Sequence, residues 1–405
     1  MVTEEKFMKS LTFLDMLKIR LSYGQIGDDG YNGRWLYMDQ LSNSTTQAKI
    51  PTVWSYPVGE LSPYSWNSPT QLGNPSIAWE KVTKKNLGAD FSIFKNLFAG
   101  SVDIFKDYRT NIILPGSARA VPGYFGFTPP PVNGGIVQVN GYELELRYSQ
   151  KISKDVRLWA NASMTHAVDK VIFKDDPVLY PEYLKAAGYP NNQVRSTLSK
   201  GFYNTWDELY GSTAFVSADN KIPGNYRIMD FDADGVIDPT KDAARYGYPT
   251  NPQNTYNTTV GIDWAGFSAF LQFYGVSNVS RYQPVMSFSN GSLPFFNNVY
   301  TEGSYWSKDN TNADSPMPRI NNSINDASMG TRYMYDGSYV RLKNAEIAYT
   351  FSSKWIKSLG MQSLRIYVNG NNLWLWTHTP DDREVGTGST YPTVRRFNFG
   401  LKLTL

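Results

Sequence analysis

Hydrophobic and polar residues alternate at every second position in many separate segments of the chain. In the segment 142–149, tyrosine and leucine residues alternate with Glu143, Glu145, Arg147 and Ser149. A β-strand whose two faces meet different environments shows this period of two. The same alternation recurs in the segments 87–93, 260–264, 267–273, 345–351 and 364–368. The pattern predicts an all-β protein.

The connections between these segments alternate in length. Short turns are predicted near 94–98, 150–156, 264–267 and 352–363, and long loops at 25–78, 111–136, 172–255, 277–337 and 373–394. Outer-membrane barrels have short turns on the periplasmic rim and long loops on the extracellular rim. The sequence therefore predicts an antiparallel transmembrane β-barrel segment of about ten strands, whose last strand ends on the periplasmic side.

The last segment alternates up to the final residue. Phe397, Phe399, Leu401, Leu403 and Leu405 are separated by polar residues or glycine. Chain termini of globular proteins usually fray, so a soluble edge strand is the less favoured interpretation. The segment is similar to the C-terminal signal that the outer-membrane assembly machinery reads.

Composition agrees with a wall that meets lipid on one side. Aromatic residues make up 15% of the chain and charged residues 19%, whereas about a quarter of the residues of a soluble domain are charged. No stretch of 18 consecutive apolar residues predicts a transmembrane helix. The net charge of +3 is dispersed, which argues against nucleic acid as a partner. The absence of cysteine excludes disulfides, cysteine-zinc sites and thiol catalysis.

The segment 230–238 carries the sharpest chemical motif. Asp230, Asp232 and Asp234 precede Gly235, and Asp238 follows. Carboxylates at every second position converge where glycine permits a tight turn, and Ca²⁺ prefers six to eight oxygen ligands. An EF-hand loop would have a bidentate glutamate where this chain has Lys241, followed by Asp242. The four aspartates are therefore candidate calcium ligands, and the alternative is a loop held by Asx-turn hydrogen bonds.

Aromatic residues in the long loops are candidates for substrate contact. Their flat apolar faces can stack on sugars, although aromatic residues at strand ends also form interfacial girdles. The candidates in two polar loops are Trp54, Tyr56, Tyr64, Trp66, Tyr203, Trp206 and Tyr210.

The chain lacks the sequence patterns of common enzyme classes. Glu143 and Glu145 could be mistaken for a glycosidase dyad, but their alternation with apolar residues predicts lumen-wall positions. Neither a nucleophile elbow nor a phosphate-binding loop is present. We expect no catalytic residues and no required cofactor apart from the candidate calcium ion.

Several short phrases resemble one family, the SusC/RagA-type TonB-dependent transporters. These phrases, in the same order along the chain, are 17–24 (LKIRLSYG), Asn74-Pro75, Trp79-Glu80, Asn86-Leu87-Gly88, 139–144 (VNGYEL), 230–238, 337–344 (GSYVRLKN), Asn371-Asn372-Leu373 and Tyr391-Pro392. A frequent Asp-Pro-Glu of the family stands here as Asp382-Arg383-Glu384. The phrases span essentially the whole sequence.

The resemblance implies a role in the outer membrane of a Gram-negative bacterium. Members have a plug domain and a barrel of about 22 strands, so residues 1–405 are expected to be the C-terminal part of such a barrel, without the plug domain and N-terminal strands. The implied activity is TonB-driven import of a large nutrient, such as an oligosaccharide or peptide, together with a SusD-like surface lipoprotein. Membrane lipid and, through the plug, TonB are the further expected partners.

Two alternatives stay open at this point. The N-terminus, MVTEEKFMKSLTFLD, lacks the features of a signal peptide, so either the protein is not exported or its targeting segment lies upstream; we favour the second. The alternative to an importer is a soluble or surface-attached calcium-binding β-sandwich that binds glycans.

Overall fold

The structure is a computed structural model. It describes residues 2–5, 8, 10–31, 33–44, 66–125, 128–215, 222–282, 304–314, 317, 330–351, 356, 358, 360–379 and 393–404.

Extended structure dominates these residues. The strands are β1 (Leu14–Asp28), β2 (Gln40–Ser44), β3 (Trp66–Gln71), β4 (Glu80–Ile93), β5 (Phe98–Leu114), β6 (Val132–Lys151), β7 (Val156–Phe173), β8 (Gln193–Ser196), β9 (Ser199–Phe202), β10 (Ala214–Phe215), β11 (Tyr226–Ile228), β12 (Val236–Ile237), β13 (Ala244–Pro249), β14 (Asn254–Trp264), β15 (Phe267–Ser277), β16 (Ser280–Tyr282), β17 (Met334–Asp336), β18 (Tyr339–Phe351), β19 (Ser363–Thr377) and β20 (Arg396–Thr404). One α-helix, α1 (Trp206–Tyr210), and 3-10 turns at Val2–Glu4, Gly116–Ala118, Gly123–Phe125 and Gly330–Tyr333 complete the described elements. No described helix has the length and apolar character needed to cross a membrane.

Ten long strands form one antiparallel sheet. Its order, β1-β4-β5-β6-β7-β14-β15-β18-β19-β20, follows the chain, so each strand pairs with the next long strand in sequence. β1 and β20 are the two edges. The number of strands, the antiparallel pairing and the meandering order confirm the fold class that the alternation predicts.

The short connections lie at one end of the sheet. The tightest turn joins Trp264 to Phe267 through Ala265 and Gly266, both of which have positive φ values, 47° and 91°. Two consecutive residues with positive φ define the hairpin turn whose twist matches that of the flanking strands, and glycine adopts this conformation without a steric penalty. The long connections consequently emerge at the opposite end.

The outer face of the sheet presents uncovered apolar side chains. Leu21, Phe399 and Leu401 are 82%, 83% and 71% exposed. Neither a second sheet nor a helix covers these rows among the described residues, whereas the two sheets of a β-sandwich would bury them against each other. The sandwich alternative therefore does not fit the fold.

Aromatic rings mark the two borders of this apolar face. Tyr349 contacts Phe267 and Phe351 near the short turns, at centroid distances of 5.1 and 4.6 Å, and Trp374 lies 6.4 Å from Trp376 near the other end. Phe351 pairs with Leu364, ten residues before Trp374 in β19. Ten residues at about 3.3 Å each, tilted by about 40°, rise about 25 Å, which is the height of a lipid-facing band between aromatic girdles.

The inner face carries ion pairs on the N-terminal strands. The Arg20 guanidinium from β1 lies 2.8 Å from both Asp90 of β4 and Asp103 of β5. Gly88 lies directly opposite Asp103, and a Cβ added to it would approach Asp103 Oδ1 to 2.4 Å. The glycine of the Asn86-Leu87-Gly88 phrase is therefore required because the ion pair passes over its backbone.

Replacing Gly88 with valine is expected to destabilise the sheet by about 1–3 kcal/mol, because the new side chain overlaps the Arg20–Asp103 ion pair. The midpoint of urea unfolding in lipid vesicles would measure the loss. Gly24→Val is the matched control, since a Cβ at Gly24 meets no atom of the described residues within 4 Å. Equal losses in the two variants would contradict the explanation.

The two longest connections fold together at the end of the sheet opposite the short turns. We call their described residues, within 174–253 and 278–338, the loop cap. Buried Phe202, Tyr226, Trp306, Ala313 and Tyr333 form its core. The Tyr226 and Tyr333 hydroxyls lie 2.9 Å apart, and burial raises the pKa of the Tyr226 phenol. The loop cap is thus an ordered layer with its own core.

Candidate functional site

A chain of amide side chains crosses the inner face of the C-terminal strands. Gln272 of β15 donates a hydrogen bond to Asn257 of β14 at 3.1 Å and accepts one from Asn344 of β18. Asn344 in turn accepts from Asn371 of β19. Amides both donate and accept hydrogen bonds, so this wall suits an uncharged polar solute rich in hydroxyl or amide groups.

Asn398 extends the polar wall to the edge strand. Its amide donates to Asn369 at 2.8 Å, and Asn369 donates to Glu346 at 3.3 Å. Glu346 also accepts from Arg365 at 2.7 Å. Every strand from β14 to β20 in the sheet therefore contributes to one of two hydrogen-bonded networks on the inner face.

The acidic pair of β6 lies on the same inner face. Glu143 pairs in register with Asp103, and Glu145 with Ser101. Arg147 approaches Glu145 to 3.5 Å. Both carboxylates are wall residues on neighbouring positions of one strand face, as the alternation predicts.

Two of the aromatic candidates form an exposed pair on α1. The Trp206 and Tyr210 rings stack at a centroid distance of 5.8 Å with an interplanar angle of 23°. They are one helical turn apart and are 50% and 80% exposed. We call this pair the aromatic platform.

Side-chain caps hold the aromatic platform on the loop cap. Thr205 accepts a hydrogen bond from the Glu208 backbone N–H at 3.1 Å, and the Glu208 carboxylate accepts from the Asn204 backbone N–H at 2.8 Å. This reciprocal arrangement resembles a capping box and stabilises the first turn of a short helix. Asn204 also accepts from the Trp306 indole at 3.0 Å, which anchors the helix to the buried core.

The other aromatic candidates are not brought to this surface. Tyr203 is 1% exposed, so its ring offers no accessible face to a substrate. Trp66 begins β3, and only its backbone is described. Trp54, Tyr56 and Tyr64 lie outside the described residues.

Three of the four candidate calcium ligands converge in the segment 230–242, the acidic loop. Ligand oxygens of Asp230, Asp232 and Asp234 lie within 4.8 Å of one another. Asp230 Oδ2 accepts the Gly235 N–H at 3.1 Å, whereas its Oδ1 is buried without a hydrogen-bond partner among the described residues. Asp238 accepts the Thr240 N–H at 2.8 Å and stands apart from the cluster.

Asp242 organises the acidic loop from its centre. This carboxylate is fully buried and accepts backbone N–H groups of Phe231 at 2.6 Å, Asp232 at 3.3 Å and Asp238 at 2.7 Å. Its role depends on where the loop folds back, so spacing alone does not indicate it. Because both oxygens are engaged, Asp242 holds the loop rather than presenting a free ligand.

Lys241 occupies the position where an EF-hand has its bidentate glutamate. Its ammonium group lies 3.6 Å from Asp234 Oδ2. A tethered cation at this distance offsets part of the negative charge of the cluster and competes with a metal ion for the same oxygen.

The charge of the acidic loop affects the pKa of the neighbouring Tyr183. Its hydroxyl donates to the Lys241 carbonyl at 2.8 Å, and its ring contacts Phe231 at 4.9 Å. Burial, and then the nearby carboxylates of Asp232 and Asp242, raise the pKa of the Tyr183 phenol. The neutral phenol therefore persists to higher pH than in an exposed tyrosine.

The sequence and the fold both match characterised proteins. A family model described as TonB dependent receptor-like, β-barrel, matches residues 10–373. TonB-dependent receptor P3 of Formosa agariphila is 26% identical over 433 residues, covering 99% of this chain and 40% of that protein. TonB-dependent receptor SusC of Bacteroides thetaiotaomicron is 24% identical over 416 residues, covering 99% of this chain and 39% of that protein.

Solved structures show the same fold. The structure of the RagAB peptide transporter matches with a TM-score of 0.72 at 19% sequence identity, covering 99% of this chain and 42% of that chain. The RagAB peptide importer in the open-open state matches with a TM-score of 0.71 at 18% identity, covering 99% of this chain and 41% of that one. This chain thus spans about two-fifths of the length of these relatives. The match over residues 10–373, together with the open meander of ten strands, shows that the chain belongs to the TonB-dependent receptor-like β-barrel family.

Proposed function

We propose that this chain supplies barrel wall and extracellular loops to an outer-membrane importer of a large nutrient, an oligosaccharide or a peptide. TonB supplies the energy through a plug domain, and a SusD-like lipoprotein covers the extracellular end. The observation that carries the proposal is a sheet whose outer face is apolar and uncovered by the described residues, whose inner face is polar, and whose short turns lie at one end. Such a wall separates lipid from a watery passage.

The first experiment is fractionation of the host membranes. The chain is expected in the outer-membrane fraction and to need detergent for extraction; recovery in the soluble fraction would contradict the proposal. Uptake of fluorescently labelled oligosaccharides and peptides is then compared between cells with and without the gene. Uptake that depends on the gene and on TonB supports import, and uptake unchanged by its deletion argues against it.

We further propose that the aromatic platform contacts the nutrient. Two stacked, half to largely exposed rings on an anchored helix offer a rigid apolar surface to a sugar ring. Trp206→Ala is expected to weaken nutrient binding by about 1 kcal/mol, that is about fivefold, because stacking area is lost. Isothermal titration with the imported nutrient measures this effect. Tyr180→Ala, another exposed aromatic of the loop cap, is the matched control, and equal losses would refute the assignment.

The acidic loop is proposed to bind Ca²⁺. Asp230, Asp232 and Asp234 provide clustered hard oxygen ligands, and Asp230 Oδ1, which has no hydrogen-bond partner within the described ranges, is available to coordinate. Lys241→Met removes the competing ammonium group and is expected to tighten Ca²⁺ binding, whereas Asp232→Asn weakens it. Calorimetric titration of the chain with Ca²⁺ tests both variants, and the absence of heat in the wild type and in Lys241→Met would refute the site.

Tyr183 provides a metal-free check of the electrostatics. Asp232→Asn removes a negative charge that disfavours the phenolate, so the pKa of Tyr183 is expected to fall toward its ordinary value while the contribution of burial remains. Alkaline absorbance titration, taken as the difference from the same protein carrying Tyr183→Phe, isolates this phenol. An unchanged pKa in Asp232→Asn would show that the carboxylate does not act on the phenol.

A further inference from the structure

Two arginines face each other across a short β-ribbon of the loop cap. β8 pairs with β13, and the register places Arg195 directly opposite Arg245. Directly opposed side chains of an antiparallel pair lie on one face, with Cβ atoms about 5 Å apart, and like charges there repel. The ribbon therefore places two guanidinium groups side by side. We call them the arginine pair.

The arginine pair has no acidic partner among the described residues. Neither guanidinium forms an ion pair with a carboxylate within 4.0 Å there. Arg195 donates to the Leu184 carbonyl at 3.2 Å; Arg245 donates to the Lys185 carbonyl and lies 3.9 Å above the Tyr189 ring. The Arg245 Nε is buried and has no hydrogen-bond partner in the part of the chain that the structure describes. Neutral carbonyls thus hold the two groups in place without supplying a negative charge.

The electrostatic environment agrees with this geometry. Burial and the neighbouring Arg195 lower the pKa of Arg245. The negative charge of Asp176 acts in the opposite direction and raises the pKa of Arg245. The Asp176 Oδ2 atom also accepts the backbone N–H groups of Ala186 and Ala187, both at 2.9 Å. An external oxyanion would relieve the repulsion and complete the hydrogen bonding of the guanidinium groups.

An open groove lies beside Arg195, one member of the arginine pair. Arg195 lines this groove of about 530 Å³ together with Gln193, Thr197, Thr250 and Tyr282. Amide and hydroxyl groups beside an aromatic ring can contact both the hydroxyl groups and the apolar face of a sugar.

We propose that Arg195 and Arg245 bind an oxyanion carried by an acidic oligosaccharide, a uronate carboxylate or a sulfate ester. The inference rests on the proposed import function and further specifies that the nutrient is negatively charged. Arginine suits this role because its planar fork binds such oxyanions through two parallel hydrogen bonds.

Calorimetric titration of the full chain, purified from outer membranes in detergent at low ionic strength, tests the inference. The probes are trigalacturonate, a sulfated galactose trisaccharide, the neutral galactose trisaccharide and inorganic sulfate. At least one acidic trisaccharide is expected to bind about tenfold or more tightly than the neutral one and than inorganic sulfate, because a charge-assisted fork adds to the sugar contacts. Binding of trigalacturonate would identify the oxyanion as a carboxylate, and binding of the sulfated trisaccharide would identify it as a sulfate ester. Equal binding of neutral and acidic sugars overturns the proposal, as does binding of inorganic sulfate alone.

Charge-removing variants assign the site. Arg195→Gln and Arg245→Gln are each expected to weaken binding about tenfold or more. Arg157→Gln, at the short-turn end and thus far from the loop cap, removes the same charge and is expected to leave affinity unchanged. Arg195 is exposed, so its substitution decides the matter even if Arg245→Gln misfolds. Unchanged affinity in Arg195→Gln overturns the proposal.

Two further results separate this inference from the import proposal. Binding of an acidic tripeptide, with the same arginine dependence and without any acidic sugar binding, would overturn the nutrient class. If gene-dependent uptake is observed but Arg195→Gln binds the acidic sugar with unchanged affinity, the arginine site is overturned and the import proposal stands. If no uptake depended on the gene while arginine-dependent binding was present, the import proposal would instead be overturned.

Discussion

Leu271→Arg is expected to destabilise the inserted chain by about 2–4 kcal/mol, the cost of a cation at the middle of a lipid-facing barrel wall. Leu271 lies on the outer face of β15, opposite Val260 and Ala345 and between the aromatic rings Phe267 and Phe273. The arginine head group would have to leave the apolar band at mid-height, where its side chain reaches water least easily. Urea unfolding in phospholipid vesicles would show the midpoint fall.

The matched control places the same charge on the inner face. Ser163 of β7 pairs with Glu145 across the sheet, so Ser163→Arg introduces its guanidinium beside a carboxylate and water. We expect a change below about 1 kcal/mol, because surface ion pairs contribute little. Similar losses for Leu271→Arg and Ser163→Arg would mean that the apolar rows do not face lipid.

The architecture of the sheet was predictable from sequence because a membrane wall imposes a period of two along every strand. In β20, for example, Phe397, Phe399 and Leu401 stand on one face and Asn398 and Gly400 on the other. A shift of one residue would turn a whole apolar row toward water, so the pattern fixes both the faces and the pairing.

Strand ends were less predictable than strand faces. β6 begins at Val132 rather than near 136, and β19 continues to Thr377 rather than ending near 373. These extensions lie toward the long loops, where both faces can meet water or loop residues. The alternation that marks a lipid boundary therefore fades before the strand itself ends.

The loop cap could not be predicted from local pattern. Its side-chain hydrogen bonds join residues far apart in sequence, such as Tyr226 with Tyr333 and Asn204 with Trp306. Its ribbons, including β8 with β13, are too short to show a reliable period. The motif of aspartates was visible, but the central position of Asp242 depends on how the loop closes.

Asp242→Ala is expected to destabilise the acidic loop by about 3 kcal/mol or more. The substitution leaves the partly buried backbone N–H groups of Phe231 and Asp238 without their acceptor, and each hydrogen bond to a charged group contributes about 1.5–3 kcal/mol. Asp242→Asn should fall between alanine and the wild type, since its amide keeps one acceptor oxygen and turns an N–H toward a donor. Amide hydrogen exchange of Phe231, Asp232 and Asp238 reports the local opening.

Asp234→Asn separates the stability of the acidic loop from its affinity for metal. Asp234 is exposed and accepts the Val236 N–H at 2.8 Å, a bond that an asparagine oxygen can keep. Exchange rates should therefore change little, while Ca²⁺ affinity falls because one anionic ligand is lost. If Asp242→Ala left the exchange rates unchanged, the loop would be held by its turns alone. The buried carboxylate would then have no organising role, and the calcium proposal would lose its preformed site.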